Sequence, residues 1–288
     1  MSIFGDFFEA VSFLTILKLK KKKKKKGIDK INIANGTAGL NKNDINTNAI
    51  LPDSDSESNS EILKLKRSIK FFPLAGLLIG LLLCLIFYIF NRIVEPDAAV
   101  IISIAFLFII TGGLHFDGLS DTADGLTAFL KTADRKQFFK AMKDVRTGSS
   151  GVLALIFYVA IIWAVINGFA SLYRYFALVS FPVIGRYSIV LMSYFSNTPD
   201  DFRGIGAIFT KDTTGFTLLI ASIATFIIIF FLFRINGIMA LFIVSFFVLI
   251  LSYYFSKKFG GVTGDMLGFT CKISELAYLI SLFGFYKI

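Results

Sequence analysis

Apolar stretches long enough to cross a lipid bilayer recur along most of the chain, separated by short polar breaks. The first covers residues 71–90, and at about 1.5 Å per residue it matches a hydrocarbon core of roughly 30 Å. A short turn at 91–97 leads into a second stretch at 98–114. Residues 152–169 predict a third span, and 172–195 a fourth that is interrupted by Pro182, Gly185 and Arg186. Beyond a polar, glycine-containing loop at 196–215, residues 216–233 and 237–255 read as spans five and six. The last apolar run, 276–285, is short for a crossing, so it either spans together with its neighbours or re-enters. Near the start, Ile3, Phe4, Phe7, Phe8, Val11, Leu14 and Leu17 fall at helical spacing, with Asp6 and Glu9 on another side. That is the pattern of a helix lying in the membrane interface. Residues 20–62 show little periodicity and are expected to be disordered. The expected fold is therefore all-α: a polytopic integral membrane bundle of about six to seven transmembrane helices at 63–288, an N-terminal interfacial helix at 1–19, and a basic and polar insertion at 20–62.

Composition agrees, since 55% of the 288 residues are hydrophobic and only 5 are proline, more apolar than a soluble domain. The net charge of +10 changes little, because residues 18–70 carry fourteen Lys and Arg against six Asp and Glu and so supply most of it. A basic arm lying against anionic lipid accounts for that excess better than nucleic acid does. Outside the arm the strongest basic cluster is Lys131, Arg135, Lys136, Lys140, Lys143 and Arg146. By the positive-inside rule both segments belong in the cytoplasm, and two spans between them agree. The chain is accordingly expected in the cell membrane with its polar motifs facing the cytoplasm. Cys84 and Cys271 offer neither a disulfide framework nor a metal-ligand spacing.

The chemistry concentrates at residues 112–125, Gly-Gly-Leu-His-Phe-Asp-Gly-Leu-Ser-Asp-Thr-Ala-Asp-Gly. On a helix Asp117, Asp121 and Asp124 stand at i, i+4 and i+7 and point within roughly 60° of one another. Three like charges on one face repel unless a cation sits among them. Carboxylates are hard donors, suited to Mg²⁺ or Mn²⁺ shared with phosphate oxygens, which points to phosphoryl transfer. A solvated face of helix caps and turns is the alternative reading of the same residues.

Residues 142–151, Met-Lys-Asp-Val-Arg-Thr-Gly-Ser-Ser-Gly, lead directly into span three. Asp144 is placed to complete a metal shell, and Lys143 and Arg146 to hold phosphate oxygens, with Gly148 and Gly151 letting backbone approach a ligand closely. Arg186, at membrane depth, needs a partner; ligand binding and pairing with a carboxylate are both open to it. His115 has two roles open, accepting a hydroxyl proton or hydrogen-bonding a ligand carboxylate. Asp265 and Glu275 join the same site from the far end of the chain or act as cap and interfacial residues.

Together, residues 112–125 and 142–148, Gly185-Arg186, the run Gly-Gly-Val-Thr-Gly-Asp-Met-Leu-Gly at 260–268 and Ser274-Glu275 resemble the adenosylcobinamide-GDP ribazoletransferase, or cobalamin synthase, family. Phe71-Phe72-Pro73-Leu74-Ala75-Gly76 and the opening Phe13-Leu14-Thr15 are similar too. The likeness covers about residues 2–17 and 66–288. It departs after Thr15, where lysines replace an Arg-Ile-Pro-like turn, and at the insertion. The resemblance implies that the ribose 3′-hydroxyl of α-ribazole, or of its 5′-phosphate, attacks the cobinamide-linked phosphorus of adenosylcobinamide-GDP and releases GMP. It would assign Asp117, Asp121 and Asp124 to the metal, Lys143, Arg146, Arg186 and Glu275 to substrate, and His115, Asp144 or Asp265 to the proton.

Two other readings make different demands. A CDP-alcohol phosphotransferase-like lipid enzyme requires a second Gly-Asp-x-x-x-Asp element shortly after the first Asp pair, where this chain has Met-Lys-Asp-Val-Arg. An ion-coupled transporter requires mid-membrane carboxylates and repeated halves, and neither pattern is visible in the sequence.

Overall fold

The computed structural model describes residues 3–15, 63–199 and 205–287, and among these every regular element is helical. The lysine-rich segment at 20–62 lies outside the described residues. Ten helices follow one another: α1 (Ile3–Leu14), α2 (Phe72–Phe90), α3 (Pro96–Thr111), α4 (Leu114–Thr132), α5 (Arg135–Met142), α6 (Ser149–Gly168), α7 (Ser171–Phe195), α8 (Ile205–Asp212), α9 (Gly215–Phe259) and α10 (Gly264–Lys287). A helical segment from Leu63 and a 3-10 turn at Ile69–Phe71 lead into α2.

Helix α7 is the axis of the bundle, with α2, α9 and α10 packed around it and an unbroken run from Ala177 to Ser193 buried. The glycines of α2 explain the closest of these contacts. A Cβ on Gly76 would stand 2.5 Å from the Pro182 carbonyl oxygen, and one on Gly80 would overlap that of Val179, so the pair lets two backbones touch. Helix α7 runs through Pro182 without a break, so the interruption expected there is absent.

Helix α9, at 45 residues, is about twice the length a bilayer needs, and its backbone leaves helical geometry at Arg234 (φ 52°, ψ −137°). A Cβ on Gly237 would lie 3.2 Å from the Ile229 carbonyl oxygen, eight residues back, a separation that only a reversal of direction can give. Its two arms are spans five and six.

The last apolar run crosses with the help of its neighbours. Helix α10 is 24 residues long, and Tyr286 packs against Phe169, Tyr173 and Phe233, which close α6, open α7 and end the first arm of α9. Those residues mark one end of the bundle. Large apolar side chains such as Leu81, Phe157, Phe231 and Phe246 stay exposed on its flanks, the surface a lipid-embedded protein presents.

The second span differs from expectation in its end point. Gly112 and Gly113 take positive φ (60° and 75°), which stops α3 at Thr111 and turns the chain by 94° into α4. Leu114 therefore opens α4 instead of closing the span. With three aspartates and a lysine, α4 lies off the membrane-crossing direction at the end of the bundle opposite Tyr286. Helix α1 packs on α2 through Ala10, Val11 and Leu14, joined by an Asp6–Lys70 ion pair of 3.4 Å, while Phe4 and Phe8 remain exposed as an interfacial helix requires.

Candidate active site

The site forms where α4 crosses the first turn of α10. Gly118 and Gly268 make the crossing possible: a Cβ on Gly118 would stand 2.5 Å from the Asp265 carbonyl oxygen, and one on Gly268 3.4 Å from the His115 Cα. Asp265, on the first turn of α10, is thereby brought to the aspartates of α4. Burial pushes the Asp121 carboxyl up to about 6, with further contributions from the charges of Asp117, Asp265 and Asp124. The helical spacing read from the sequence thus yields one acidic cluster, enlarged by a fourth carboxylate.

Asp124 is also tied to its neighbours. The amides of Gly148 and Gly151 donate to its two carboxylate oxygens at 2.7 and 2.9 Å, capping the start of α6 from another helix. Any side chain at Gly148 or Gly151 would collide with that carboxylate. The backbone approach expected of these glycines is real, and its object is a side chain of the protein itself.

Two cavities flank the start of α4. One, of about 380 Å³, has His115, Lys143, Thr198 and Asp265 at its polar rim and Phe13, Phe72 and Phe209 among its apolar walls. The other, of about 560 Å³, runs past Gly112, Asp117, Ser120 and Thr147. A third groove beyond Asp124 collects Lys131, Asp144, Arg146 and Ser149. Here Arg146 donates to Asp144 from Nε and Nη2, both at 3.2 Å, and these bonds together with the Arg146 amide hold the Asp144 carboxyl below its ordinary value. Asp144 consequently stands with Arg146 in the groove beyond Asp124 and does not line the cavity that holds His115 and Asp265.

Arg186 and Glu275 are brought to each other, fully buried beneath the crossing. Arg186 Nη1 donates to Glu275 Oε1 at 2.6 Å, Lys272 Nζ donates to Oε2 at 3.0 Å, and the Tyr158 hydroxyl donates to the same Oε2. Lys272 also lies 4.2 Å from the centre of the Phe116 ring. Neither Arg186 nor Glu275 lines any of the three cavities described above, and each has the other as its partner. Two cations around one carboxylate are a structural knot, and the sequence reading missed Lys272 and Tyr158. Lys272 carried a usable signal, a cation three residues before Glu275 on an apolar helix.

His115 sits between the knot and the cluster. It is 4% exposed, its Nδ1 has no hydrogen-bond partner, and it lines the smaller cavity. Burial, then the charges of Arg186 and Lys272, hold its imidazole well below its ordinary value and therefore neutral.

The sequence profile of cobalamin-5-phosphate synthase matches residues 45–283. The chain belongs to the cobalamin-5-phosphate synthase family. Among curated relatives, the adenosylcobinamide-GDP ribazoletransferase of Clostridioides difficile is 33% identical over 227 residues, 75% of this chain and 87% of that protein. Proteins of the same name from Caldanaerobacter subterraneus and Geotalea daltonii are 32% and 31% identical, covering 75% and 76% of this chain and 87% and 86% of their own lengths. No solved structure matches. The profile match takes in the acidic helix, the residues around Arg146, the buried knot and Asp265. Helix α1 lies outside it, yet Phe13 packs against Phe72 and Phe209 in the cavity wall.

The donor set at the crossing is all carboxylate, which suits a hard divalent ion. Among the described residues no three His, Cys, Asp or Glu side chains are grouped so as to hold a metal ion by themselves, so an ion here would need phosphate oxygens and water to complete its coordination.

Proposed function

We propose that this protein is an adenosylcobinamide-GDP ribazoletransferase whose reaction takes place at the α4–α10 crossing. One observation carries the placement: the close approach at Gly118 sets Asp265, which lines the cavity, directly against the acidic helix. An acceptor in the cavity and a diphosphate on the aspartates would meet there. The family membership supports the reaction, and the name its relatives carry supplies the substrates.

Asp265 takes the proton from the 3′-hydroxyl of α-ribazole, and the freed oxygen attacks the cobinamide-linked phosphorus. The bond from that phosphorus to the bridging oxygen breaks, and GMP leaves with the bridging oxygen on its phosphate. His115, held neutral, hydrogen-bonds a neighbouring carboxylate or the ribose and is the weaker proton acceptor. Lys143, at the cavity rim, and Arg146, beside Asp124, attract the diphosphate oxygens. A Mg²⁺ or Mn²⁺ ion held by Asp117, Asp121 and Asp124 would neutralise charge on the diphosphate and the departing GMP. The acidic end of the bundle carries Lys131, Lys140, Lys257 and Lys258, and by the positive-inside rule it faces the cytoplasm of a cell membrane.

The test is direct. Purified protein in liposomes with Mg²⁺, given adenosylcobinamide-GDP and α-ribazole, should form GMP and a cobalamin product in equal amounts. Absence of both products in active lipid preparations would refute the assignment.

A further inference from the structure

The cavity at the crossing has a lining of two kinds. His115, Lys143, Thr198 and Asp265 supply polar groups. Three mutually packed phenylalanines, drawn from α1, the start of α2 and α8, supply an aromatic cluster. The rings of Phe13 and Phe72 are nearly parallel, 6.0 Å apart at 13°, and Phe209 meets both edge-on at 5.3 and 5.4 Å. Phe72 and Phe209 are buried, and Ile189 and Leu267 extend the apolar surface.

Resting on the transferase reading, we propose that this cavity is the acceptor subsite, in which Phe13 and Phe209, backed by the buried Phe72, receive the bicyclic heteroaromatic base of α-ribazole while its ribose lies at Asp265. Size and chemistry both select this occupant. A volume of about 380 Å³ lies near the lower end of the usual range of ligand pockets and cannot enclose a corrin ring. Guanine is the other planar base in the reaction, but its edge carries several donors and acceptors. An apolar surface would leave them desolvated and unpaired, which disfavours guanine there. The base of ribazole, a dimethylbenzimidazole, presents two methyl groups and a carbocyclic edge instead. Aromatic walls favour such a ring beyond simple area burial. The rim also places the acceptor hydroxyl next to the carboxylate assigned to take its proton.

Ala207, on α8, lines the same cavity and allows it to be filled without deleting a packed side chain. In Ala207→Leu the KM for α-ribazole should rise by about 10-fold or more, with the KM for adenosylcobinamide-GDP unchanged. The α-nucleoside of unsubstituted benzimidazole, two methyls smaller, should become the better acceptor. An unchanged α-ribazole KM, or an equal rise for the donor, would overturn the assignment. Equilibrium dialysis of labelled α-ribazole on wild-type protein keeps the test readable if that variant does not fold. There dimethylbenzimidazole should compete and guanosine should not; the reverse order would contradict the subsite. Wild-type protein that binds α-ribazole in this way yet releases no GMP would count against the transferase reading alone.

Discussion

At Asp124 both carboxylate oxygens already accept backbone hydrogen bonds, whereas Asp121 meets burial first and neighbouring negative charge second. Asp121 is therefore the residue whose titration reports on the cluster. Its carboxyl is raised from 3.8 to about 6 in the fold, so the folded state holds the proton more tightly than the unfolded state. With divalent ions chelated, the stability contributed by Asp121 is present below its unfolded value and is lost as pH rises through about 6. Thermal unfolding in chelator should show a midpoint that falls across this window in wild type, and a flatter profile in Asp121→Asn. A second prediction concerns the buried knot. Glu275→Gln leaves Arg186 and Lys272 without their shared carboxylate and should cost about 3–5 kcal/mol, seen as a large drop in thermal midpoint in detergent. Residue types at this scale were largely legible in the sequence, because aspartates at helical spacing in an apolar chain demand an explanation. The partners of Arg186 were not, since an ion pair between α7 and α10 depends on a packing that no local pattern encodes.

The crossing of α4 over α10 is where elements become a site, and it depends on a glycine. Gly118→Leu would drive a side chain into the backbone of Asp265, separating α4 from α10. Overpacking of this kind costs about 1–3 kcal/mol. The larger effect should be on turnover, with GMP release falling by about 100-fold while the protein still extracts as a folded species. Ligand-free protein should also lose the pH dependence attributed to Asp121. The spans themselves were readable from hydropathy, including the two arms of α9. The right-angled turn at Gly112 and Gly113 was not, because an apolar run continues through it to Leu114 and hydropathy carries no information about φ. The same limit explains why α8 was hidden within a polar loop.

For the whole molecule, every polar motif gathers at one end of the bundle, and the aromatic cluster around Tyr286 closes the other. This two-ended arrangement followed from counting spans between basic segments. Single cysteines at Val145, on the acidic end, and at Ile93, in the turn after α2, should therefore be labelled from opposite sides of sealed vesicles, Val145→Cys from the cytoplasmic side. Labelling of both from one side would overturn the topology.

The central claim is that the aspartates at the α4–α10 crossing hold a divalent ion for displacement of GMP. It is tested most directly by titrating Mg²⁺ against the rate of GMP release in wild type and in Asp121→Asn. Wild type should show saturable activation, and Asp121→Asn a rate lower by about 100-fold with a weakened dependence on Mg²⁺. An Asp121→Asn protein with the wild-type rate and the same half-saturating Mg²⁺ would contradict the account.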